Sequence, residues 1–386
     1  MRILFMGDIV VKDKGIVLSD EVRKIFDSCD IRVCNLEAPL INLVDKPIIK
    51  AGSNLFQTEQ SILSIKNMGI TLVSLANNHI LDYGSTALSH TIATIQKEGI
   101  NVIGAGFSFE ETYKSHIVED DNNKKIGFIA CSQAEFGVFK CKEDSVGYAW
   151  VNHPQMNQII KKVKHQVDYL YIIVHAGLED IIYPLPEWRN RYKELIDFGA
   201  DCIIGGHPHI IQGYEIYNGK YIYYSLGNFF FDSEKRNDVE WKRSIAVVND
   251  TNDISKMQIV PCVVEEGTVK IDNTIETKLI IQNRSDILLN EKFYLKEIDN
   301  IAEELWEKYY RMYYDLCFYS SDINRFSSKK IIKYLIKRAM KEINSSLNKT
   351  SIDKTMLLHN IQIETHRWIV ERYLYNYNKK QNNFDN

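Results

Sequence analysis

The chain has 386 residues, of which 45% are hydrophobic and 25% are charged, the proportions of a folded globular protein rather than a disordered one. At about 100 to 200 residues per domain, this length indicates two domains or one large domain with an extension. The formal net charge of −4 provides no overall attraction to nucleic acid or anionic lipid. We therefore expect no nucleic-acid partner.

Seven cysteines are scattered through the sequence without any C-x-x-C spacing. This pattern indicates neither a disulfide framework nor a zinc ribbon, and we expect most of the thiols to be buried in a reducing compartment. The apolar start reaches Gly7-Asp8 too early for a signal peptide, and no later run approaches the roughly 18 apolar residues of a membrane span. These features predict a soluble cytoplasmic protein without a membrane anchor.

The first half of the chain alternates short apolar runs with segments of helical spacing, which predicts an α/β fold. Strands are predicted at residues 2–6, 31–34, 71–75, 101–103, 125–131, 169–174 and 201–204, and helices at 19–28, 59–68, 85–98, 157–163 and 186–198. Gly104-Ala105-Gly106 lacks the third glycine of a dinucleotide-binding fingerprint and is interpreted as a turn. Residues 132–150 are predicted to form a loop over the active face.

The second half of the predicted core is richer in antiparallel strands. Hairpins are predicted around Asp120-Asp121-Asn122-Asn123, Asn218-Gly219 and Glu266-Gly267, and Asn-Gly supplies the positive φ that a tight hairpin turn needs. After about residue 280 glycine disappears, and helical spacing at 298–319, 329–347 and 352–377 predicts amphipathic helices. We therefore predict a core domain at 1–280 and a helical extension at 281–386, whose aromatic residues are better explained by helix packing than by a binding surface.

Polar side chains follow the predicted strands at the point where each strand ends. Taken singly, an acidic residue there is as well explained by a turn, a helix cap or a solvated loop. Side chains that follow strand ends converge at one edge of an open sheet, however, and four histidines, two carboxylates and an amide without cysteine suit Mn, Fe or Zn. The candidates are Asp8, Glu37, Asn78, His79, His175, His207 and His209.

The segments that carry these residues resemble capsule-synthesis proteins related to the poly-γ-glutamate synthesis protein CapA, a branch similar to calcineurin-like metallophosphoesterases. The resemblance covers about residues 1–235 and does not include the helical tail. The matching segments are Gly7-Asp8, Asn35-Leu36-Glu37-Ala38-Pro39-Leu40, Ser74-Leu75-Ala76-Asn77-Asn78-His79 with Asp82 and Gly84, His175-Ala176-Gly177-Leu178-Glu179, Gly206-His207-Pro208-His209 with Gln212, and Tyr224-Ser225-Leu226-Gly227-Asn228-Phe229 with Phe231-Asp232.

The resemblance implies a four-layer αββα sandwich with one or two divalent ions, Mn, Fe or Zn, at the edge of the sheets. It implies that Asp8 and His209 hold one ion, that Asn78, His175 and His207 hold the other, and that Glu37 bridges them. His79 would protonate the leaving oxygen, and Glu179 and Asn228 would be pocket residues or support the ligands.

The sequence also departs from the pattern of the wider superfamily, which begins Asp-x-His. Here Ile9 and Val10 follow Asp8, so the first metal site lacks one ligand. The family's usual His-Trp-Gly-x-Glu reads His175-Ala176-Gly177-Leu178-Glu179, and its Gly-His-His-Pro-His reads Gly205-Gly206-His207-Pro208-His209.

Two function classes follow from the resemblance. One is a metal-dependent hydrolase of the phosphoesterase type, acting on a small molecule or polymer in capsule, poly-γ-glutamate or cell-envelope metabolism. The other is a non-catalytic metal- or polymer-binding component with capsule-synthesis partners. Other hydrolytic schemes are not indicated, because the sequence has no G-x-S-x-G elbow, no Walker A loop and no H-E-x-x-H helix.

Overall fold

The computed structural model describes residues 1–12, 15–42, 44–141, 144–233, 236, 238–311, 314 and 352–382. The chain forms two compact units: Met1–Ile49 with Asn54–Tyr294, and Lys50–Ser53 with Leu295–Asn386. Residue 280 lies inside a helix of the first unit, Ile275–Asp286. The division into domains at that residue stays a prediction.

The strands of the described chain belong to the first unit. They are β1 (Arg2–Val10), β2 (Val17–Leu18), β3 (Ile31–Leu36), β4 (Leu72–Ser74), β5 (Asn101–Ile103), β6 (Ala105–Gly106), β7 (His116–Glu119), β8 (Lys125–Ser132), β9 (Val138–Phe139), β10 (Gly147–Ala149), β11 (Tyr169–His175), β12 (Cys202–Gly206), β13 (Tyr214–Tyr217), β14 (Lys220–Tyr223), β15 (Asn228–Phe231), β16 (Arg243–Asp250), β17 (Asp253–Glu265) and β18 (Thr268–Ile271).

The helices of the described chain fall in both units. They are α1 (Asp20–Asp27), α2 (Glu59–Asn67), α3 (Gly84–Lys97), α4 (Phe109–Thr112), α5 (Met156–Lys164), α6 (Pro186–Asp197), α7 (Ile275–Asp286), α8 (Glu291–Leu305), α9 (Ile352–Gln362) and α10 (Glu364–Asn382), with a 3₁₀ turn at Ile287–Leu289 and a π-helical turn at Trp306–Tyr310.

Two large sheets form the centre of the first unit. The larger has the order β2-β18-β17-β16-β1-β3-β4-β5, with β15 also paired to β1, and the smaller has the order β13-β14-β12-β11-β8-β7. Strands β1, β3, β4 and β5 pair in parallel, as do β8, β11, β12 and β14. Parallel strands bring their carboxyl ends to one edge, as the sequence pattern required.

The two sheets pack face to face through buried apolar side chains. The ring of Tyr171 in the smaller sheet lies 5.0 Å from that of Phe5 in the larger sheet, centroid to centroid. On the opposite face of the larger sheet lie α1, α2 and α3, and on that of the smaller sheet lie α5 and α6. This is a four-layer αββα sandwich, and it confirms the predicted fold class.

Strand β1 changes partners halfway along its length. Arg2–Phe5 pair antiparallel with β16, whereas Asp8–Val10 pair in parallel with β15, and the register with β3 shifts between Phe5 and Asp8. A Cβ at Gly7 would lie 1.8 Å from the carbonyl oxygen of Gly227, so only glycine fits there. The prediction that the first strand ends before Asp8 is therefore wrong: the strand continues through this irregularity because a second partner takes over.

The turns follow the expected chemistry. Asn218 and Gly219 have φ values of 52° and 75°, and Glu266 and Gly267 have values of 49° and 77°. Two successive residues with positive φ are typical of the type I′ turn that suits the twist of a hairpin. The predicted hairpins at these positions are confirmed.

Two segments differ from their predictions. Residues 132–150 do not form a simple loop, because β9 and β10 build a three-stranded sheet with β6, in the order β6-β10-β9. Gly104-Ala105-Gly106 accordingly leads from a bend at Gly104 into β6 rather than forming only a turn. Such short strands lack the periodic apolar pattern on which sequence-based prediction depends.

In the second unit, aromatic rings stack between helical segments. The ring of Trp306 lies 4.6 Å from that of Tyr373 and 5.8 Å from that of Tyr314, centroid to centroid. These contacts support the packing interpretation for the three residues. The predicted helix at 329–347 lies outside the described residues.

Most of the described cysteines are buried, as the sequence predicted. Cys141 is exposed, and the other described cysteines are buried: Cys29, Cys34, Cys131, Cys202 and Cys262. Within the described residues, no helix has both the length and the apolar character needed to cross a bilayer.

Candidate metal centre

The strands bring six of the predicted residues into contact at the edge where both sheets end. Asp8 comes from β1 and the others from the ends of β3, β4, β11 and β12 or the residues just after them. All are nearly inaccessible to solvent. The six are Asp8, Glu37, Asn78, His175, His207 and His209, each at most 4% exposed.

Ligand atoms of these residues form two groups that share Glu37. In one group Asp8, Glu37 and His209 offer ligand atoms within 4.8 Å of one another, and in the other Glu37, His175 and His207 do so. The Oε1 atom of Glu37 lies 3.5 Å from Nε2 of His175 and 3.7 Å from Nε2 of His209. A carboxylate between two groups of donors has the geometry that a bridging ligand requires.

Asn78 adds an amide oxygen to the second group. Its Oδ1 atom lies 3.2 Å from Nε2 of His175, and Nδ1 of His207 lies 3.2 Å from the same nitrogen. Three donor atoms from three different strand ends therefore face one another.

Glu37 is the residue whose surroundings fit a cation best. Both carboxylate oxygens are buried, and neither accepts a hydrogen bond within the described structure. A buried carboxylate is costly unless it is paired or coordinates a metal. Imidazole nitrogens and carboxylate oxygens are donors that borderline divalent ions accept, so the residues present fit a divalent metal ion.

The pKa values of His175 and His209 are both raised by the neighbouring carboxylates. Burial alone would lower the pKa of His175, but the carboxylates of Glu37 and Asp8 outweigh it and raise that pKa to about 10. Burial likewise opposes the charge on His209, yet Glu37, Glu179 and Asp8 raise its pKa. The carboxylates therefore favour positive charge at the positions of these two imidazoles.

The loop after β12 is held in a strained conformation. His207 and His209, on either side of Pro208, have φ values of 93° and 62°, and such left-handed backbone costs non-glycine residues on the order of 1–3 kcal/mol each. Gly205, two residues before His207, has no room for a side chain, because a Cβ there would lie 2.1 Å from the carbonyl oxygen of Tyr224. This backbone conformation places the His209 imidazole near Asp8 and Glu37, and the His207 imidazole near Glu37 and His175.

His79 lies beside Asn78 but has a different partner. Its Nδ1 atom lies 2.6 Å from Oδ2 of Asp82, which also accepts a hydrogen bond from the Leu55 amide. At 8% exposure it is the most accessible of the seven strand-end candidates. With Nδ1 held by a carboxylate, Nε2 is the nitrogen that can carry a transferable proton.

Asn228 and Glu179 occupy different positions around His209. The Oδ1 atom of buried Asn228 lies 3.0 Å from Nδ1 of His209, and its Nδ2 atom donates to the Trp241 carbonyl. Glu179 is exposed and acts on His209 through its charge.

Three further residues that the sequence-based selection missed contact the centre. Asn35 donates from Nδ2 to Oδ1 of Asp8 over 2.7 Å, and Gln133 and Glu135 lie in the segment after β8. The rule that selected the other candidates, a polar residue just after a predicted strand, also applies to Ser132-Gln133-Ala134-Glu135. Gln133 and Glu135 are absent from the sequence-based selection because residues 132–150 are predicted to form a covering loop.

Val10 occupies the position of the histidine in the Asp-x-His pattern. Val10, two residues after Asp8, is fully buried in β1 and offers no ligand atom. Within the described residues, the side chains of that group that could hold an ion are Asp8, Glu37 and His209.

The protein is an αββα sandwich in which buried carboxylates and histidines that could hold a divalent metal ion gather where its two sheets end. The family of the bacterial capsule synthesis protein PGA_cap matches residues 2–233, more than half of the chain, and the chain belongs to this family. The resemblance inferred from the motifs is confirmed.

Relatives from several bacteria match the chain. The PGA biosynthesis protein CapA of Bacillus subtilis (strain 168) is 28% identical over 72% of this chain and 76% of that protein. The capsule biosynthesis protein CapA of Bacillus anthracis is 28% identical over 61% of this chain, which spans 58% of that protein's length.

Among solved structures, a hypothetical protein from Thermus thermophilus is 15% identical, with a TM-score of 0.40 over 70% of this chain and 100% of that chain. A 5'-nucleotidase from Candida albicans SC5314 is 11% identical, with a TM-score of 0.40 over 72% of this chain and 56% of that chain. The fold is therefore assigned from the sheet order and layers described above.

Proposed function

We propose that the chain is a metal-dependent hydrolase of the phosphoesterase type that acts in capsule, poly-γ-glutamate or cell-envelope polymer metabolism. The observation that carries the proposal is Glu37, a buried carboxylate without hydrogen bonds that is shared by two groups of ligands. Membership of the capsule-synthesis family and the names of the Bacillus relatives support the biological context.

The proposed ligands follow the two groups. Asp8 and His209 would hold one ion, Asn78, His175 and His207 the other, and Glu37 both. Once bound, Mn, Fe or Zn would supply positive charge for a phosphoryl group and a nucleophile near neutral pH.

The chain's own residues then supply the proton and the orientation. His79 would carry a proton on Nε2 and deliver it to the leaving oxygen, while Asp82 holds the ring through Nδ1. Asn228 would keep the ring of His209 in place from the outer side. The negative charges of Asp8 and Glu37 favour the loaded centre.

The alternative is a non-catalytic metal- or polymer-binding component of a capsule-synthesis system. Val10 favours it, because the position that carries a histidine in the Asp-x-His pattern is here a buried apolar residue. A centre with one well-held ion binds without necessarily supporting two-metal chemistry.

Metal analysis of the purified full chain is the first test. Protein treated with chelator and reloaded with Mn, Fe or Zn should retain at least one ion per chain, and a broad phosphoester screen should then detect hydrolysis. Failure to retain any ion overturns the proposal, whereas retention of an ion without hydrolysis favours the non-catalytic component.

The two kinds of histidine provide the second test. His79→Asn should keep the metal and lose roughly 10²- to 10⁴-fold in kcat, and an alkyl phosphate should suffer more than an aryl phosphate, whose leaving oxide scarcely needs a proton. His207→Asn should instead lower metal occupancy. The exposed His165→Asn serves as the control and should change neither. Equal losses on both substrates would exclude His79 as the proton donor.

A further inference from the structure

Glu135 lies behind the second group of ligands and contacts two of its members. It is 5% exposed, accepts a hydrogen bond from Nδ2 of Asn78 over 3.1 Å at Oε2, and has Oε1 at 3.6 Å from Nε2 of His207. Gln133 donates to Oε1 from Nε2 over 2.5 Å. One carboxylate thus reaches the outer sides of two side chains that face the same donor group.

The segment that carries Glu135 is held firmly. The Glu135 amide donates to the hydroxyl oxygen of Tyr148 over 2.8 Å, and that hydroxyl donates to the Gln133 carbonyl over 3.1 Å. Gln133 in turn accepts from the Gly177 amide at Oε1. Because Tyr148 is fully buried, the carboxylate is placed by a packed ring rather than by a free loop.

The contact with Asn78 decides which end of the amide faces the donors. An ionised carboxylate only accepts hydrogen bonds, so it selects the NH₂ group of Asn78. This leaves Oδ1, the atom that can ligate a metal, 3.2 Å from Nε2 of His175. Without Glu135, the amide would be free to present its nitrogen instead.

The contact with His207 runs through Gln133. Nδ1 of His207 faces His175 at 3.2 Å, and its Nε2 atom lies 3.0 Å from Nε2 of Gln133, nearer than the 3.6 Å to Oε1 of Glu135. Because the same Gln133 amide donates to Oε1 of Glu135, it stands between the carboxylate and the ring. The direct hydrogen bond between Glu135 and a member of the donor group is the one from Asn78.

We propose that Glu135 is a positioning residue that holds Asn78 in its ligating orientation. This inference rests on the proposed metal centre and assigns the two ions different supports. His209, in the other group, has the neutral amide of Asn228 as its partner, whereas Asn78 has a carboxylate. The ion at Asn78, His175 and His207 is therefore the one whose affinity depends on an outer negative charge.

The test is metal binding by the full chain carrying Glu135→Gln, which keeps the size and replaces one acceptor oxygen with a donor. Metal-free protein is titrated with Mn²⁺ by calorimetry and with Co²⁺ by visible absorption. We expect the Kd of one ion to rise roughly 10- to 100-fold and the Co²⁺ bands to change, with the metal-free melting temperature close to wild type. Glu266→Gln, in the exposed turn between β17 and β18, controls for the loss of one charge and should bind as wild type does.

Unchanged Kd values and Co²⁺ bands in Glu135→Gln overturn the inference while the metal centre stands. A wild-type chain that binds no ion overturns both. If Glu135→Gln melts well below wild type without metal, Glu135→Asp replaces it, because the shorter acid keeps the charge but withdraws the acceptor. Wild-type affinity in that variant also overturns the inference.

Discussion

Two buried carboxylates in the first unit, Glu215 and Glu37, have opposite surroundings. Glu215 on β13 accepts hydrogen bonds from Nε and Nη2 of Arg189, over 3.0 and 2.8 Å, and from the Tyr224 hydroxyl. Glu37 accepts none within the described structure and shares its site with a second carboxylate, Asp8. Burial of an acid is therefore no sign of function by itself, whereas an acid buried without donors is.

The cluster around Glu215 has a structural role. Arg189 from α6 also donates to the Leu288 carbonyl over 2.7 Å and pairs with Glu291 at 2.6 Å. The guanidinium thereby joins α6 to β13 and to the start of α8. Its planar fork of N–H donors makes these hydrogen bonds together, which the single ammonium group of a lysine would not do in the same geometry. The candidate metal centre has no arginine or lysine paired with Glu37 among the ion pairs of the described residues.

The largest expected effect is on the structural cluster. Arg189→Met should lower the free energy of unfolding by up to about 3–5 kcal/mol, because buried Glu215 loses the guanidinium that pairs with it and keeps Lys193, 3.3 Å away, as its remaining counter-charge. Urea unfolding at neutral pH measures it. The double variant Arg189→Met/Glu215→Leu should recover most of the loss, since no buried charge remains. If Arg189→Met were as stable as wild type, the ion pair of Glu215 would not have the structural role that distinguishes Glu215 from Glu37.

Glu37→Gln should behave in the opposite way. Its metal-free stability should fall less than that of Glu215→Gln, because no hydrogen bond is lost and the lost attraction to His175 and His209 is offset by removing a buried charge. In wild type, Mn²⁺ at a hundred times its Kd is expected to raise the free energy of unfolding by about 2.7 kcal/mol. In Glu37→Gln this stabilisation by metal should be smaller. Thermal melting with and without Mn²⁺ measures both.

Glu215→Gln is the matched control for that experiment. It should lose about 1–3 kcal/mol whether or not Mn²⁺ is present, because Arg189 and Tyr224 lose their charged acceptor. If both variants responded to Mn²⁺ as wild type does, Glu37 would not be a ligand.

A pH series gives a smaller effect with a defined sign. Burial raises the pKa of Glu215, but the hydrogen bonds and charge of Arg189, with Tyr224 and Lys193, outweigh it and hold the pKa below its usual value of 4.5. The stability that ionised Glu215 contributes is therefore complete above that value and is lost as the pH falls through the folded-state pKa. The difference in unfolding free energy between wild type and Glu215→Gln should narrow below pH 4.5. A constant difference would show that the charge of Glu215 is not responsible.

The smallest effect is expected for an exposed ion pair. Arg311 and Glu307 lie one helical turn apart in the second unit, 2.6 Å between Nη1 and Oε2, with about half of each side chain exposed. Arg311→Met should cost no more than about 0.5 kcal/mol and should lose its effect in high salt. If Arg311→Met lost as much unfolding free energy as Arg189→Met, burial would not determine how much an ion pair contributes to stability.

The sequence supports prediction of the layers because the apolar runs of β8, β11 and β12 are long and their parallel order brings strand ends together. It also indicates the donors, because Asp8, Glu37 and the histidines each follow or interrupt such a run. It does not reveal the partner exchange of β1, which depends on pairing with β15 more than 200 residues away. It marks Glu135 as a polar residue after a strand but does not reveal its contact with Asn78, which depends on how Tyr148 holds the Glu135 backbone.

The exchange of partners along β1 also governs which insertions and deletions the chain can tolerate. Side chains alternate between faces along a strand, so one residue added or removed between Phe5 and Asp8 would turn Asp8 away from His209 and place a Cβ against Gly227. An extra residue in the Asn218-Gly219 turn would lengthen only the tip of a hairpin. Length variation among related chains should therefore be common at that turn and absent between β1 residues 5 and 8.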